Sequence, residues 1–191
     1  TDAIAKARVV HASSFALSRE PCRSAVQQAF RIARAEGKII SLDPNYSQAI
    51  WPDHREALQV LSDTLAMAHL TKPSLDDAHR IWGDDSEPED YIQRFHEMGP
   101  SIVVFTMGSD GILLSEEGET TFIPARPVEV VDVTGAGDSF WAAFLVALLD
   151  GKSLERCALF AREIVEIKLT TVGPFPADID RRSVYAELEA S

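Results

Sequence analysis

The sequence predicts an α/β fold, with a mostly parallel sheet and helices on both faces, as one domain over residues 1–191. Three observations carry this expectation. Apolar runs of strand length alternate with longer helix-like stretches. Proline and glycine stand where those stretches should start and stop. Polar and acidic residues follow directly after several apolar runs, where open α/β sheets place their ligands.

Ala7 to His11 reads as the first strand. Pro21 suits the first turn of a helix reaching to about Ala35, which Gly37 closes. Lys38 to Leu42 is a second strand, and Asp43-Pro44-Asn45 is the loop beyond its C-terminal end. A helix over Asp53 to Ser62 and a strand near Leu65 to Leu70 continue the alternation. Ser74 is an N-cap with an acidic third residue, Asp77, and opens a helix that Gly83 ends. Asp84 to Asp90 reads as an acidic loop, and Glu89 to Glu97 as a helix stopped by Met98-Gly99-Pro100. Ser101 to Thr106 is the most strand-like run. Gly111 to Ser115 and Thr120 to Pro124 form a hairpin about Glu116-Glu117-Gly118. Helices follow at Gly137 to Leu149, Ser153 to Leu169 and Ile179 to Glu189.

Composition bounds the function. The net charge of −12 argues against a general nucleic-acid or anionic-membrane binder. Any polyanionic ligand must therefore be received by local backbone donors, a metal and a few bases. Cys22 and Cys157 lack CxxC spacing, which fits reduced packing residues of a cytoplasmic protein. The longest apolar run, Phe140 to Leu149, is too short to span a bilayer, and Thr1-Asp2-Ala3 does not open a signal peptide. His11, His54, His69, His79 and His96 show no metal-ligand spacing. Trp51, Trp82 and Trp141 read as packing anchors. Ser13 and Ser14 have no Ser/His/Asp context.

The most informative stretch is Asp132-Val133-Thr134-Gly135-Ala136-Gly137-Asp138, followed at once by an apolar helix-like run. It leaves backbone N–H groups bare at a helix N-terminus, where an anion is favoured. A dinucleotide turn would need glycine at Phe140, and a Walker A loop would need Lys where Asp138 stands. An ordinary glycine turn into a buried helix is the plain alternative. Asp138 beside a bound phosphoryl group would be placed to take the proton of an attacking hydroxyl.

The heptad resembles the D-[TS]-[TV]-G-A-G-D signature of the ribokinase-like (PfkB-type) carbohydrate kinases. Leu42-Asp43-Pro44-Asn45-Tyr46 with Trp51 resembles that family's D-x-N-x-R…W segment. Thr71-Lys72-Pro73-Ser74-Leu75-Asp76-Asp77 is similar to its N-x-x-E region, and Val104-Phe105-Thr106-Met107-Gly108-Ser109-Asp110-Gly111 to its T-x-G-x-x-G nucleotide loop. The resemblance implies a ribokinase-like fold with Asp138 as catalytic base and Gly135, Ala136 and Gly137 as the anion hole. It implies nucleotide contacts from Thr106, Gly108, Gly111, Asn45 and Ser74. Asp77 has two readings, a helix-capping residue or a water-mediated magnesium contact. Asp132 supports the anion-hole loop or, as in some relatives, a monovalent cation. Ser47 stands in place of the family's Arg, and Ser74 and Asp77 in place of its Asn and Glu.

The implied activity is that of an ATP-dependent sugar kinase, moving the γ-phosphoryl group to a hydroxyl of a sugar or sugar acid. Fructose or 2-keto-3-deoxygluconate is favoured, with ATP and Mg2+ as cofactors and no nucleic-acid or membrane partner. The alternative is a catalytically silent kinase-like module that binds nucleotide or a partner. The resemblance covers the C-terminal two-thirds of such kinases, so the N-terminal part and lid are expected to be missing. Apolar surface around Val9, Val10 and Leu42 should then be exposed and favour self-association, such as a homodimer. The residues of all four motifs should gather along one sheet edge.

Overall fold

A computed structural model describes residues 2–173, 175 and 179–190. The chain folds as two compact units, Thr1–Gly108 with Ile112–Phe122, and Ser109–Gly111 with Ile123–Ser191.

The first unit carries helices α1 (Asp2–Lys6), α2 (Cys22–Ala35), α3 (His54–Leu65), α4 (Leu75–Trp82) and α5 (Pro88–Glu97). Its strands are β1 (Val9–Ser13), β2 (Ile39–Asp43), β3 (Leu70–Thr71) and β4 (Ile102–Thr106), followed by β5 (Gly111–Glu116) and β6 (Glu119–Pro124), whose ends reach the second unit. The six strands run in the order β1-β2-β3-β4-β5-β6. Strands β1 to β4 are parallel, and β5 returns antiparallel to β4, with Thr106 opposite Ile112. The expected mostly parallel sheet is what the chain forms.

Because the order never reverses, right-handed crossovers carry α2 to α5 to one face. The packing agrees. Phe30 of α2, Leu61 of α3, Ile81 of α4 and Phe95 of α5 share one core with Ile40, Leu42, Val103, Phe105 and Leu113. These strand residues alternate with Ser41, Val104 and Leu114, which are buried toward the opposite face.

Several expectations need correction. The first strand is displaced to Val9–Ser13, and an unexpected helix, α1, precedes it. Pro21 is the N-cap of α2, one position ahead of the first helical residue. The strand expected near Leu65 to Leu70 is mostly absent, because α3 continues to Leu65 and β3 holds only two residues. Asp53 caps α3 through two N–H groups, and the following Leu-Ala-Met-Ala lacks both β-branching and alternation. The acidic loop is shorter than expected, since Pro88 opens α5 from its first turn. Leu42 is fully buried, contrary to the expected exposure, because β1 and β3 flank it and the α-helical core covers it. Val9 and Val10 are half-buried.

The second unit contains α6 (Ala136–Leu149), α7 (Leu154–Leu169) and α8 (Arg181–Ala190). Phe140, Trp141 and Phe144 of α6 and Cys157, Phe160 and Ile164 of α7 are buried. Trp141 stacks on Phe144 at 5.0 Å. The Phe160 ring lies 4.5 Å from Tyr185 of α8, whose hydroxyl donates to Asp150 at 3.0 Å. Pro174 and Pro176 to Asp178 lie outside the described residues.

Candidate active site

In the first unit, three of the four motifs meet at the C-terminal ends of neighbouring parallel strands. Asp43 ends β2, Lys72 follows β3 and Thr106 ends β4. Thr106 N–H donates to the Pro73 carbonyl at 3.0 Å, and a parallel bridge joins Thr106 to Ser74. Asp43 Oδ2 pairs with Lys72 Nζ at 3.2 Å, and both side chains are almost completely buried. Asp43 Oδ1 accepts Asn45 N–H at 3.2 Å, which fixes an Asx turn. That turn brings the exposed Asn45 to a φ of +34°, in the left-handed region that Asn tolerates. Burial pushes the Asp43 carboxyl above its ordinary range; Lys72 opposes the shift and nearby Asp77 adds to it.

Asp77 is buried at 4% exposure and joins two of these loops. It closes a capping box with Ser74: Ser74 N–H donates to Asp77 Oδ2 at 3.0 Å, and Asp77 N–H to Ser74 Oγ at 3.0 Å. Ser74 Oγ also lies 2.6 Å from Asp77 Oδ2. Oδ1 reaches across to accept Tyr46 N–H at 2.7 Å. The capping role is thus present. Of the roughly four acceptor positions of a carboxylate, three are taken, and one remains on Oδ1.

The candidate nucleotide loop begins at Thr106. Gly108 is exposed with a φ of +58°, and Gly111 opens β5 at +121°. A Cβ at Gly111 would lie 2.3 Å from the Ile123 carbonyl oxygen, so the backbone there must come too close for a side chain. Trp51 is buried beneath the Arg23 guanidinium, 5.5 Å from its ring centre, and acts as a packing residue. His11 Nδ1 is 3.0 Å from Ser41 Oγ, and His69 Nδ1 accepts Ile40 N–H at 3.0 Å, so both belong to the sheet's own bonding. Among the described residues no cluster of His, Cys, Asp and Glu could hold a metal by itself.

In the second unit the heptad forms a loop and the first turn of α6. Gly135 is the N-cap with a φ of +75°, which L side chains rarely adopt. Ala136, Gly137 and Asp138 fill the first turn, whose N–H groups have no carbonyl one turn back; Ala136 N–H uses Val133 O at 3.1 Å. Asp138 is exposed. It also lines a cleft of about 470 Å³ with Ala142, Val146, Phe160, Ile164 and Arg181.

Asp132 holds this loop in shape. Its Oδ1 accepts Thr134 N–H at 2.9 Å, and its Oδ2 accepts from Lys168 Nζ at 3.2 Å. Val131 and Asp132 N–H both donate to Leu169 O at the end of α7. The Thr134 hydrogen bonds and then the Lys168 ammonium lower the Asp132 carboxyl to about 2. Lys168 is only 5% exposed. Sequence reading gave no role to Lys72 or Lys168. For Lys168 a signal existed, because it falls at helical spacing on the buried stripe of Ala161 and Ile164.

The model of the pfkB family carbohydrate kinases matches residues 1–178. An ATP-dependent 6-phosphofructokinase of Thermoanaerobacterium thermosaccharolyticum is 35% identical, over 95% of this chain and 57% of its own length. Fructokinase-1 of Oryza sativa subsp. japonica is 32% identical, over 91% of this chain and 56% of its own length. The chain therefore spans somewhat over half the length of these relatives. The structure of aminoimidazole riboside kinase from Salmonella enterica, complexed with aminoimidazole riboside and an ATP analog, superposes with a TM-score of 0.84 at 25% identity, over 94% of this chain and 62% of that one. The chain belongs to the pfkB family of carbohydrate kinases.

Proposed function

We propose that the chain is the nucleotide-binding and catalytic part of an ATP-dependent sugar kinase. The observation that carries this reading is the heptad turn: Gly135 in the left-handed conformation, an open first turn of α6, and an exposed Asp138 within that turn. Gly135, Ala136 and Gly137 form the anion hole for the transferring phosphoryl group at this helix start. Asp138 takes the proton from the acceptor hydroxyl as the new P–O bond forms, and ADP leaves with the cleaved bond's electrons. Thr106, Gly108, Gly111, Asn45 and Ser74 are the nucleotide contacts that the resemblance implies. Mg2+, when bound, screens the phosphate charge; the free acceptor position on Asp77 suits a water in its shell.

The acceptor is a ketose or a related sugar acid. Support comes from the fructokinase and phosphofructokinase relatives and from the Asp43-Pro44-Asn45 segment. Calorimetric titration with ATP and Mg2+, together with transfer of labelled γ-phosphate to fructose, fructose 6-phosphate and 2-keto-3-deoxygluconate, tests it. The expected result is ATP binding, with transfer to one ketose acceptor by a chain extended to the length of its relatives and little or none by this chain alone. Absence of both ATP binding and transfer would overturn the reading. The second reading is a silent nucleotide-binding module; binding without transfer by the extended chain would select it.

A further inference from the structure

The resemblance places a monovalent cation at Asp132 in some relatives, so the residues around Asp132 can be tested for such a site. They do not leave one open. Lys168 Nζ lies 3.2 Å from Asp132 Oδ2 and 3.4 Å from the Thr171 carbonyl oxygen. Carboxylate and carbonyl oxygens are also the kind of ligand that a hard cation takes. An ammonium has the same charge as potassium and a similar size. We propose that Lys168 is a built-in replacement for the monovalent cation, so that the heptad loop keeps its shape without potassium.

The surroundings explain why a dissolved ion would lose the competition. Lys168 stands in the last turn of α7 and is 5% exposed. Its charge also complements the carbonyl end of that helix. A potassium ion on Asp132 would have to expel the ammonium from its counter-charge, and a buried charge stripped of its partner is strongly unfavourable. Sharing is no better, because two cations would then sit side by side against one carboxylate. The ammonium is tethered by its own helix, so it loses no freedom of translation on taking the place.

The consequence reaches the candidate anion hole. Lys168 fixes Asp132, Asp132 holds Thr134 N–H at 2.9 Å, and Thr134 leads directly into Gly135. Lys168 is thus a positioning residue, and it touches no reacting atom. The inference concerns the loop of the proposed kinase site but needs no phosphoryl transfer, so the two can fail separately.

Thermal melting of the chain in potassium chloride and in choline chloride, at equal ionic strength, tests it. Choline is too large to replace potassium in a site of this kind. The wild-type chain should melt at the same temperature in both salts. Lys168→Ala should melt on the order of 5 °C lower in choline and recover part of that loss in potassium, saturably. A merely structural ion pair would show the loss without the potassium-specific recovery. Lys168→Arg keeps the charge and should stay indifferent to potassium. A wild-type chain stabilised by potassium over choline would overturn the proposal, and so would a Lys168→Ala chain with no potassium-specific recovery. If Lys168→Ala folds only in potassium, that supports the proposal; if it folds in neither salt, that counts against it.

Discussion

Each unit of the chain holds one aspartate–lysine pair at 3.2 Å, next to a loop of the candidate site. In both pairs the lysine side chain is about 6% exposed. The aspartates differ. Asp43 is 7% exposed, with a second carboxylate, Asp77, close by. Asp132 is 28% exposed and receives Thr134 N–H. Burial therefore dominates at Asp43 and raises its carboxyl, whereas hydrogen-bond donors dominate at Asp132 and lower it to about 2. The same two residue types at the same distance form a buried structural lock in one unit and a partly exposed clasp on a loop in the other.

The largest effect expected from this contrast is on stability. Lys72→Ala should cost about 3–5 kcal/mol, because it leaves the Asp43 carboxylate buried without a partner. Urea denaturation should show a clearly smaller loss for Lys168→Ala in potassium, since Asp132 can take up water or a cation. Equal losses for the two variants would break the comparison. Next in size is the contrast between the two helix starts. Asp77→Ala removes the capping box and the link to Tyr46 and should cost about 1–3 kcal/mol. Ser153→Ala removes one 3.4 Å bond to Arg156 N–H and should cost at most about 1 kcal/mol.

The smallest signal is a difference of slope with pH. The Asp43 carboxyl is raised in the fold, so its contribution is full below its unfolded value of 3.8 and is lost as pH rises through the folded value. Asp132 is lowered, so its contribution is present above 3.8 and is lost as pH falls toward about 2. Melting temperatures across the acid range should therefore change in opposite senses in Asp43→Asn and Asp132→Asn. The first variant should remove a decline toward neutral pH, and the second a decline toward acid. Parallel profiles would contradict the assignment of burial to one site and hydrogen bonding to the other.

Much of this was legible in the sequence. The parallel order follows from alternating runs, and the Ser74 cap follows from Ser-Leu-Asp-Asp. The heptad was visible because its glycines are a backbone requirement, now seen at Gly135. What stayed hidden depends on tertiary surroundings. The run from Leu65 to Leu70 is apolar enough for a strand or for a helix end, and only the packing of α3 decides between them. The burial of Leu42 depends on neighbours supplied by β1 and β3. Lysine in a sequence ordinarily signals solvent, so the buried places of Lys72 and Lys168 appear only once their aspartates are brought beside them.

The central claim is that Asp138 is the base of a sugar kinase. The most direct measurement is transfer of γ-phosphate from ATP to fructose by the chain extended to its relatives' length and by its Asp138→Asn variant, with ATP affinity measured on both. Asn is accepted at helix beginnings, so folding should be nearly unchanged. The account predicts a loss in transfer rate on the order of 10²–10⁴, with ATP affinity held or slightly raised because a negative charge beside the phosphates is gone. Near-equal transfer by the two proteins would contradict it, and so would an extended wild-type chain that binds ATP and transfers nothing.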